Sequence, residues 1–243
     1  MKKVWEFFTD KFGKTIFHPQ FIMNTYKEVA IEKVKKYGKG KLVDIGCGRS
    51  PYKEILLNFV DSYTGVDHPE TSKLYETKDK PDFYADAKKL PFKNNSYETA
   101  IMLQVLEYLD KPQEAIKEAA RVLKKGGVFI ISVPFMYPIH DGKFDHNRFT
   151  ESGISSLLSE AKFKTVEIES QGNFWDFWFQ SILVYYFKNT MALSKNRDWK
   201  LLIIPLLAIG LTVTPFLNLL ALLSRNFEEK SDFPLNIIAV AKR

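Results

Sequence analysis

Apolar and polar residues alternate along this chain in two patterns. Short apolar segments bounded by turn residues recur, and the longer segments between them carry apolar residues at helical spacing. The short segments predict strands over Lys41–Ile45, Ser62–Asp67, Asp82–Ala85, Glu98–Leu103, Val128–Phe135, Thr165–Ser170 and Leu235–Lys242. The longer segments predict helices over residues 20–36, 51–60, 111–124 and 151–161. Strands that alternate with helices predict a mostly parallel sheet with helices on both faces.

The alternation stops between residues 173 and 234, where a long apolar stretch appears. Leu201–Leu223 runs without a charged residue and is long enough to cross a bilayer. Phe174–Phe187, which precedes it, is rich in aromatic residues. We therefore divide the chain into an N-terminal amphipathic and helical segment (1–40), a ligand-binding core (41–172), an apolar helical insertion (173–234) and the last strand of the core sheet (235–243).

The last predicted strand limits how the insertion can meet a membrane. Because residues 235–242 return to the sheet, the chain ends on the side where it began, and a single span is excluded. Two spans would place four cations on the outer face, against the positive-inside bias: Lys188, Lys195, Arg197 and Lys200. The sequence therefore predicts a shallow, Pro-broken re-entrant or interfacial pair of helices. A hydrophobic lid or a dimer interface in a soluble enzyme is the alternative.

Composition and charge narrow the class of protein. Hydrophobic residues make up 45% of the chain and charged residues 26%, which excludes global disorder. The net charge of +6 suits an anionic lipid or a phosphorylated substrate, and no basic run or finger-like spacing points to nucleic acid. Cys47 is the only cysteine, and no secretory signal begins the chain, so a cytoplasmic location is expected. A peripheral or monotopic position on the inner membrane face is expected from one N-terminal helical face that collects Met1, Trp5, Phe8, Phe12 and Ile16.

Candidate chemistry lies where the predicted strands end, because ligands of parallel sheets bind outside that edge. Asp44 ends the first strand, and Gly46 and Gly48 follow in a turn that lets a ligand approach the backbone. Asp67 ends the second strand, where a carboxylate can accept both hydroxyls of a ribose. The same cleft is lined by residues that follow the second, third and fourth strands: His68, Asp86, Ala87 and Gln104. A nicotinamide dehydrogenase is the rival of the same fold, but it would need a small residue where Pro51 stands.

At these residues the chain resembles class I S-adenosylmethionine-dependent methyltransferases of the type-11 group. The matching text is LVDIGCG, TGVD, ADAKKLPFKNNSYETAIMLQVLEYL and EAARVLKKGGVFIISVP, within residues 41–172. The resemblance implies a Rossmann-like, seven-stranded, mostly parallel sheet with an antiparallel last strand, and S-adenosylmethionine as the cofactor. It also implies that Gly46 and Gly48 pass under the cofactor, that Asp67 holds its ribose and that Asp86 with Ala87 meets its adenine.

Two residues depart from the family pattern. Tyr108 stands where the family usually has His, and Glu98 stands where Asp is common. Neither touches the glycine turn, so cofactor binding is expected to persist, while the role of position 108 stays open. A non-catalytic scaffold or assembly protein that binds the cofactor is the alternative function.

The loop after the fifth strand, residues 136–150, is dense in ionisable groups and lies above the expected methyl group. The catalytic candidates are His140 as first choice for a general base, His146 as second, and Asp145. Tyr137, Asp141 and Arg148 are the candidate substrate contacts. An ordered loop in which Asp145 pairs with Arg148 is the alternative, and the spacing matches no metal site. Methyltransferases with a similar loop are associated with cell-envelope or polysaccharide pathways, so we expect a small or lipid-linked acceptor.

Overall fold

The computed structural model describes residues 8–9, 11–72, 80–139, 144–193, 200–227 and 232–243. The chain divides into two compact units. The sheet unit takes residues 29–135, 139–170 and 236–243, and the helical unit takes residues 1–28, 136–138 and 171–235.

The sheet unit contains a seven-stranded sheet in the order β3-β2-β1-β4-β5-β7-β6. Its strands are β1 (Lys41–Ile45), β2 (Ser62–Asp67), β3 (Phe83–Tyr84), β4 (Tyr97–Leu103), β5 (Leu123–Pro134), β6 (Lys164–Gln171) and β7 (Asn236–Lys242). β1 pairs in parallel with β2 and β4, and β7 runs antiparallel to β5. The predicted Rossmann-like fold with an antiparallel last strand is confirmed. The reversal of strand order beside β1 puts the ends of β1, β2 and β4 at one edge, where such sheets bind ligands.

The described helices are α1 (Phe21–Tyr37), α2 (Lys53–Leu56), α3 (Pro69–Ser72), α4 (Pro112–Val122), α5 (Glu151–Glu160), α6 (Phe174–Leu193) and α7 (Lys200–Ser224). Short 3-10 turns cover Leu106–Tyr108 and Arg225–Phe227. The helix predicted over residues 51–60 was too long. It shrinks to α2 because the Asn58 side chain donates to the carbonyls of Glu54 and Ile55 and closes the helix.

A second boundary prediction was also wrong. The helix predicted over residues 111–124 extends too far: α4 ends at Val122, and β5 starts at Leu123 and contains Gly126 and Gly127. Gly126 has a positive φ of 73°. The pairing of β4 with β5 shifts register between Tyr97 and Thr99. The glycines therefore absorb an irregularity inside a strand rather than ending a helix.

Alternate residues of the strands feed two apolar clusters. Val43 of β1 joins the cluster that includes Ile116 and Ala119 of α4, and Leu42 joins the cluster that includes Val34 of α1. This alternation is the period-two pattern of a strand buried on both faces. Both faces of the sheet are therefore covered, and its functional groups lie at the strand ends.

The helical unit contains α6 and α7. α7 is one continuous helix of 25 residues that includes Pro205 and Pro215, so the predicted break at proline was wrong. Packing outweighs the cost of about 3 kcal/mol for an interior proline. A Cβ at Gly210 would lie 2.5 Å from the Tyr186 ring, so α6 and α7 are in close contact there. Among the described helices, the segment Leu202–Ser224 alone is long and apolar enough to cross a membrane, with a mean hydropathy of 2.1.

Candidate functional site

A glycine turn follows β1 at the ligand-binding edge of the sheet. The N–H groups of Gly46 and Cys47 both donate to the carbonyl of Val66 in β2, at 2.8 and 3.0 Å. Gly46 and Gly48 have positive φ values of 79° and 54°. A Cβ at Gly46 would lie 2.3 Å from Cγ2 of Val105. Glycine is therefore required at position 46 for both backbone conformation and space, and the turn presents its bare backbone to the edge.

Asp67 ends β2 beside this turn and is buried. The N–H of His68 donates to its Oδ1 at 2.7 Å, and the N–H of Gly48 also donates to the carboxylate. The pKa of Asp67 is raised overall, because the effect of burial exceeds the opposite effect of the two amide donors. Two amides fix the carboxylate, and its remaining lone pairs can accept two further donors, such as adjacent hydroxyls of a ribose.

Asp44, at the end of β1, is held by a residue that the sequence analysis missed. The Tyr63 hydroxyl donates to Oδ2 of Asp44 at 2.6 Å. A Cβ at Gly65 would lie 2.9 Å from Sγ of Cys47 and 3.3 Å from the Tyr63 ring, so this glycine makes the room for the ring. Burial raises the pKa of Asp44 to about 7, the Tyr63 hydrogen bond lowers it, and the Asp67 charge raises it. The signal in the sequence was a glycine two positions after the tyrosine on the same strand face.

The residues after β3 and β4 line the same edge. The N–H of Ala85 donates to the Asp67 carbonyl at 3.0 Å, and the N–H of Lys88 donates to Oδ1 of Asp86 at 2.9 Å. Gln104 has a positive φ of 58°, and its Nε2 donates to Oδ1 of Asn236 at 2.8 Å. Gln104 therefore ties β4 to β7. The sequence analysis missed Asn236 because only the register of β7 reveals it.

Residues 136–139 and 144–150 of the loop after β5 are described, and His140 and Asp141 lie outside the described residues. The N–H groups of His146 and Asn147 donate to the carbonyl of Glu107, at 2.9 and 3.1 Å. Nδ2 of Asn147 donates to the Leu109 carbonyl at 2.7 Å. The loop is thus bound to the turn that follows β4, and the His146 side chain is exposed.

Asp145 and Arg148 form a bidentate ion pair within this loop. The Arg148 guanidinium contacts both carboxylate oxygens of Asp145, with Nη2 to Oδ2 at 2.8 Å. The Asp145 side chain is buried, and the pairing raises the pKa of Arg148, with a smaller contribution from the buried Glu107. This is the loop-ordering arrangement that the sequence left as an alternative. Tyr137 lies in the helical unit, where its hydroxyl accepts from Nε2 of Gln20 at 2.9 Å.

Taken together, the edge offers a bare backbone turn, one ribose-type carboxylate and a second carboxylate at Asp86. Such a set can hold a nucleoside that carries an amino acid or a second charged group. Within the described residues, no group of three or more His, Cys, Asp or Glu side chains could hold a metal ion.

Residues 43–131 match the family model described as a methyltransferase domain. The uncharacterized protein MJ1252 of Methanocaldococcus jannaschii is 35% identical over 136 residues, which is 54% of this chain and 51% of that protein. The "Probable S-adenosylmethionine-dependent methyltransferase" of Mycolicibacterium smegmatis is 22% identical over 147 residues, 56% of this chain and 57% of that one. The chain thus spans about half the length of these two relatives.

Among solved structures, the [4+2]-cyclase SpnF is similar with a TM-score of 0.59. The similarity covers 90% of this chain and 80% of that chain at 18% identity. At this identity the likeness concerns the fold alone, and activity has to be argued from the site.

Proposed function

Because the chain belongs, through residues 43–131, to the class I S-adenosylmethionine-dependent methyltransferases, we propose that it methylates a small or lipid-linked acceptor. The family predicted from the motifs is confirmed, and with it the cofactor. The observation that carries the proposal is the turn at Gly46 and Gly48, which is closed by the amide-held carboxylate of Asp67. A sulfonium-activated methyl group is what the cofactor supplies when it is bound.

The residues at the edge fit this cofactor. Asp67 retains acceptor capacity for the ribose hydroxyls, and Asp86 presents a partly exposed carboxylate to an adenine amino group. The contact between position 46 and Val105 leaves no room for a side chain in the turn, so the backbone stays accessible. Asp44 adds a buried acid that, when ionised, favours a cationic ligand.

Cofactor binding provides the first test. Asp67→Ala removes the acceptor of the ribose hydroxyls and should weaken S-adenosylmethionine binding by about 1.5–3 kcal/mol, the value of hydrogen bonds to a charged group. Titration calorimetry measures this, with Asp61→Ala, at the exposed position immediately before the same strand, as a matched surface control. Binding of NAD in place of S-adenosylmethionine would refute the proposal.

On the acceptor side, we assign His140 and His146 as the candidate bases for a hydroxyl nucleophile, and Asp145 as a further candidate. His146 is exposed on a loop whose backbone is bound to Glu107, so its ring can reach an acceptor that enters above the edge. A true general base contributes roughly a hundredfold or more to turnover. Single His→Ala variants should therefore lose turnover and retain cofactor affinity. Cofactor binding with no methyl transfer to any acceptor fraction would favour the alternative of a non-catalytic scaffold.

For location, we propose that the enzyme works on the cytoplasmic membrane face as a peripheral or monotopic protein. The support is the apolar helix α7. Only 22% of its most apolar 18-residue segment is buried. An acceptor made or held at that surface, in cell-envelope or polysaccharide synthesis, suits such a position. Membrane extracts incubated with methyl-labelled cofactor should give label in the organic phase, and label confined to the aqueous phase would contradict a lipid-linked acceptor.

A further inference from the structure

The polarity of α7 is the reverse of that of a helix in a water-soluble protein. Its buried side carries small and polar residues, among them Gly210, Thr214, Asn218 and Ala221. The large apolar side chains that are exposed by more than a third are Leu202, Ile204, Ile209, Leu211, Val213, Phe216, Leu219 and Leu223. At 100° per residue these positions cover roughly 200° of the helix circumference. We call this surface the outer arc of α7.

The donor groups of Asn218 and Thr214, on the buried side, are bonded inside the helical unit. Nδ2 of Asn218 donates to the carbonyls of Ile16 and His18, at 2.7 and 3.0 Å, and the Thr214 hydroxyl donates to the Gly210 carbonyl at 2.7 Å. Small and polar residues at a helix contact, with large apolar residues outside, are typical of helices surrounded by lipid. A water-soluble protein rarely leaves so large a contiguous apolar surface exposed.

Both ends of α7 carry polar and cationic groups. α6 and α7 run antiparallel, since Tyr186 donates to the Leu206 carbonyl near one end and Arg225 pairs with Asp176 at the other, at 3.1 Å. In sequence, the junction of the two helices collects four cations against one acid, Asp198: Lys188, Lys195, Arg197 and Lys200. If α6 and α7 both stood along the membrane normal, these four cations would belong to the outer face, against the positive-inside bias.

We propose that α7 lies in the plane of an anionic bilayer, with the outer arc in the acyl-chain region and the exposed Lys188 at the headgroups. This deepens the proposed membrane location by naming the surface and its partner. Charge complementarity selects an anionic lipid surface. A second copy of this chain is the competing occupant, but a helix packed in a water-soluble interface needs an apolar stripe of about 100°, half of what the outer arc presents.

Vesicle binding tests the surface. The full chain, transferred from detergent, is floated with vesicles of three parts phosphatidylcholine to one part phosphatidylglycerol. The double variant Ile209→Glu/Phe216→Glu should bind about tenfold more weakly or worse, since each acid is costly in hydrocarbon. The matched control is Ile55→Glu/Leu57→Glu, which places the same acids at exposed apolar positions of the sheet unit and should bind as the wild type does. Equal binding by all three proteins would overturn the proposal.

Depth measurements test the orientation. Single cysteines at Ala208, Phe216 and Leu223, all exposed and within about 40° of the middle of the outer arc, accept a fluorophore selectively. The reason is that Cys47 is buried and burial raises the pKa of its thiol to about 12. Brominated lipids should quench the three labels to a similar extent, and a label at the exposed Leu57 of the sheet unit should be quenched least. A depth that increases steadily along α7 would overturn the in-plane orientation.

The remaining outcomes separate this inference from the methyltransferase proposal. A monodisperse dimer without lipid or detergent that the Ile209→Glu/Phe216→Glu substitution dissociates would assign the outer arc to a second copy. S-adenosylmethionine affinity, measured on each preparation, should be the same for the wild type and both double variants. Vesicle binding without cofactor binding would therefore contradict the proposed activity while supporting the surface.

Discussion

Gly46→Ala is the most informative single substitution in the glycine turn after β1, because the structure gives two separate costs. Gly46 has a φ of 79°, and the left-handed region costs an L-residue about 1–2 kcal/mol. The new Cβ would also lie 2.3 Å from Cγ2 of Val105, and overpacking of this kind costs about 1–3 kcal/mol. Together they predict a loss of about 2–5 kcal/mol in unfolding free energy, with weaker cofactor binding as the turn shifts.

Denaturant unfolding followed by circular dichroism measures the stability, and calorimetry measures the affinity. Gly46→Ala/Val105→Ala should remove the overlap and leave the φ strain, so the added alanine should cost less in a Val105→Ala background than in the wild type. Gly153→Ala is the control: this helical glycine meets only Thr150 Oγ1 at 3.4 Å, so alanine there should stabilise by about 0.5–1 kcal/mol. If Gly46→Ala unfolds at the wild-type midpoint and binds cofactor normally, the reasoning about this turn is wrong.

Two predictions concern pH. His18 is fully buried, and burial together with the Lys27 charge lowers its pKa to about 4. Between pH 6.5 and 4, His18 therefore binds a proton in the unfolded chain but not in the folded one. The free energy of unfolding should fall by about 3 kcal/mol over this range. His18→Gln should lack this pH dependence in acid titrations. Affinity for the cationic cofactor should rise with pH as Asp44 ionises. Tyr63→Phe removes the hydrogen bond that lowers the pKa of Asp44, so the midpoint of this rise should move up by about one pH unit in calorimetry. Tyr97→Phe, a buried tyrosine whose hydroxyl bonds Thr64, should leave that midpoint in place.

The sequence predicted the strands that end at the ligand-binding edge of the sheet better than it predicted the side-chain contacts at that edge. β1 and β2 have the predicted bounds because short, fully buried apolar runs next to glycine or a turn have few alternatives. The partners of Asp44 and Gln104, namely Tyr63 and Asn236, depend on strand register and on the chain order of the sheet. Local pattern carries no information about either, so these residues could not be predicted from motifs.

The helical insertion also shows that local sequence patterns do not determine structure where tertiary packing acts. Local propensity predicted a break at Pro205 and Pro215. α7 nevertheless continues through both prolines, because it packs against α6, with which it is in close contact at Gly210. Propensity is a weak prior that tertiary packing overrides. The charge of the junction and the length of the apolar run needed no tertiary information, and the sequence analysis identified both.

Two features of this chain violate the rules of a stable, water-soluble fold, and the proposed function gives a reason for each. At the sheet edge, burial raises the pKa of Asp44 above its unfolded value, so the folded protein without ligand loses stability as pH rises from about 4 to 7. A cationic ligand at that edge recovers this loss, because it favours the ionised acid. In α7, apolar side chains face outward while Asn218 is buried, which is unfavourable in water and favourable in lipid. Natural sequences keep such local conflicts where a ligand or a surface resolves them. Cofactor binding should therefore stabilise the sheet unit more at pH 7 than at pH 5, and lipid should stabilise the helical unit at both pH values.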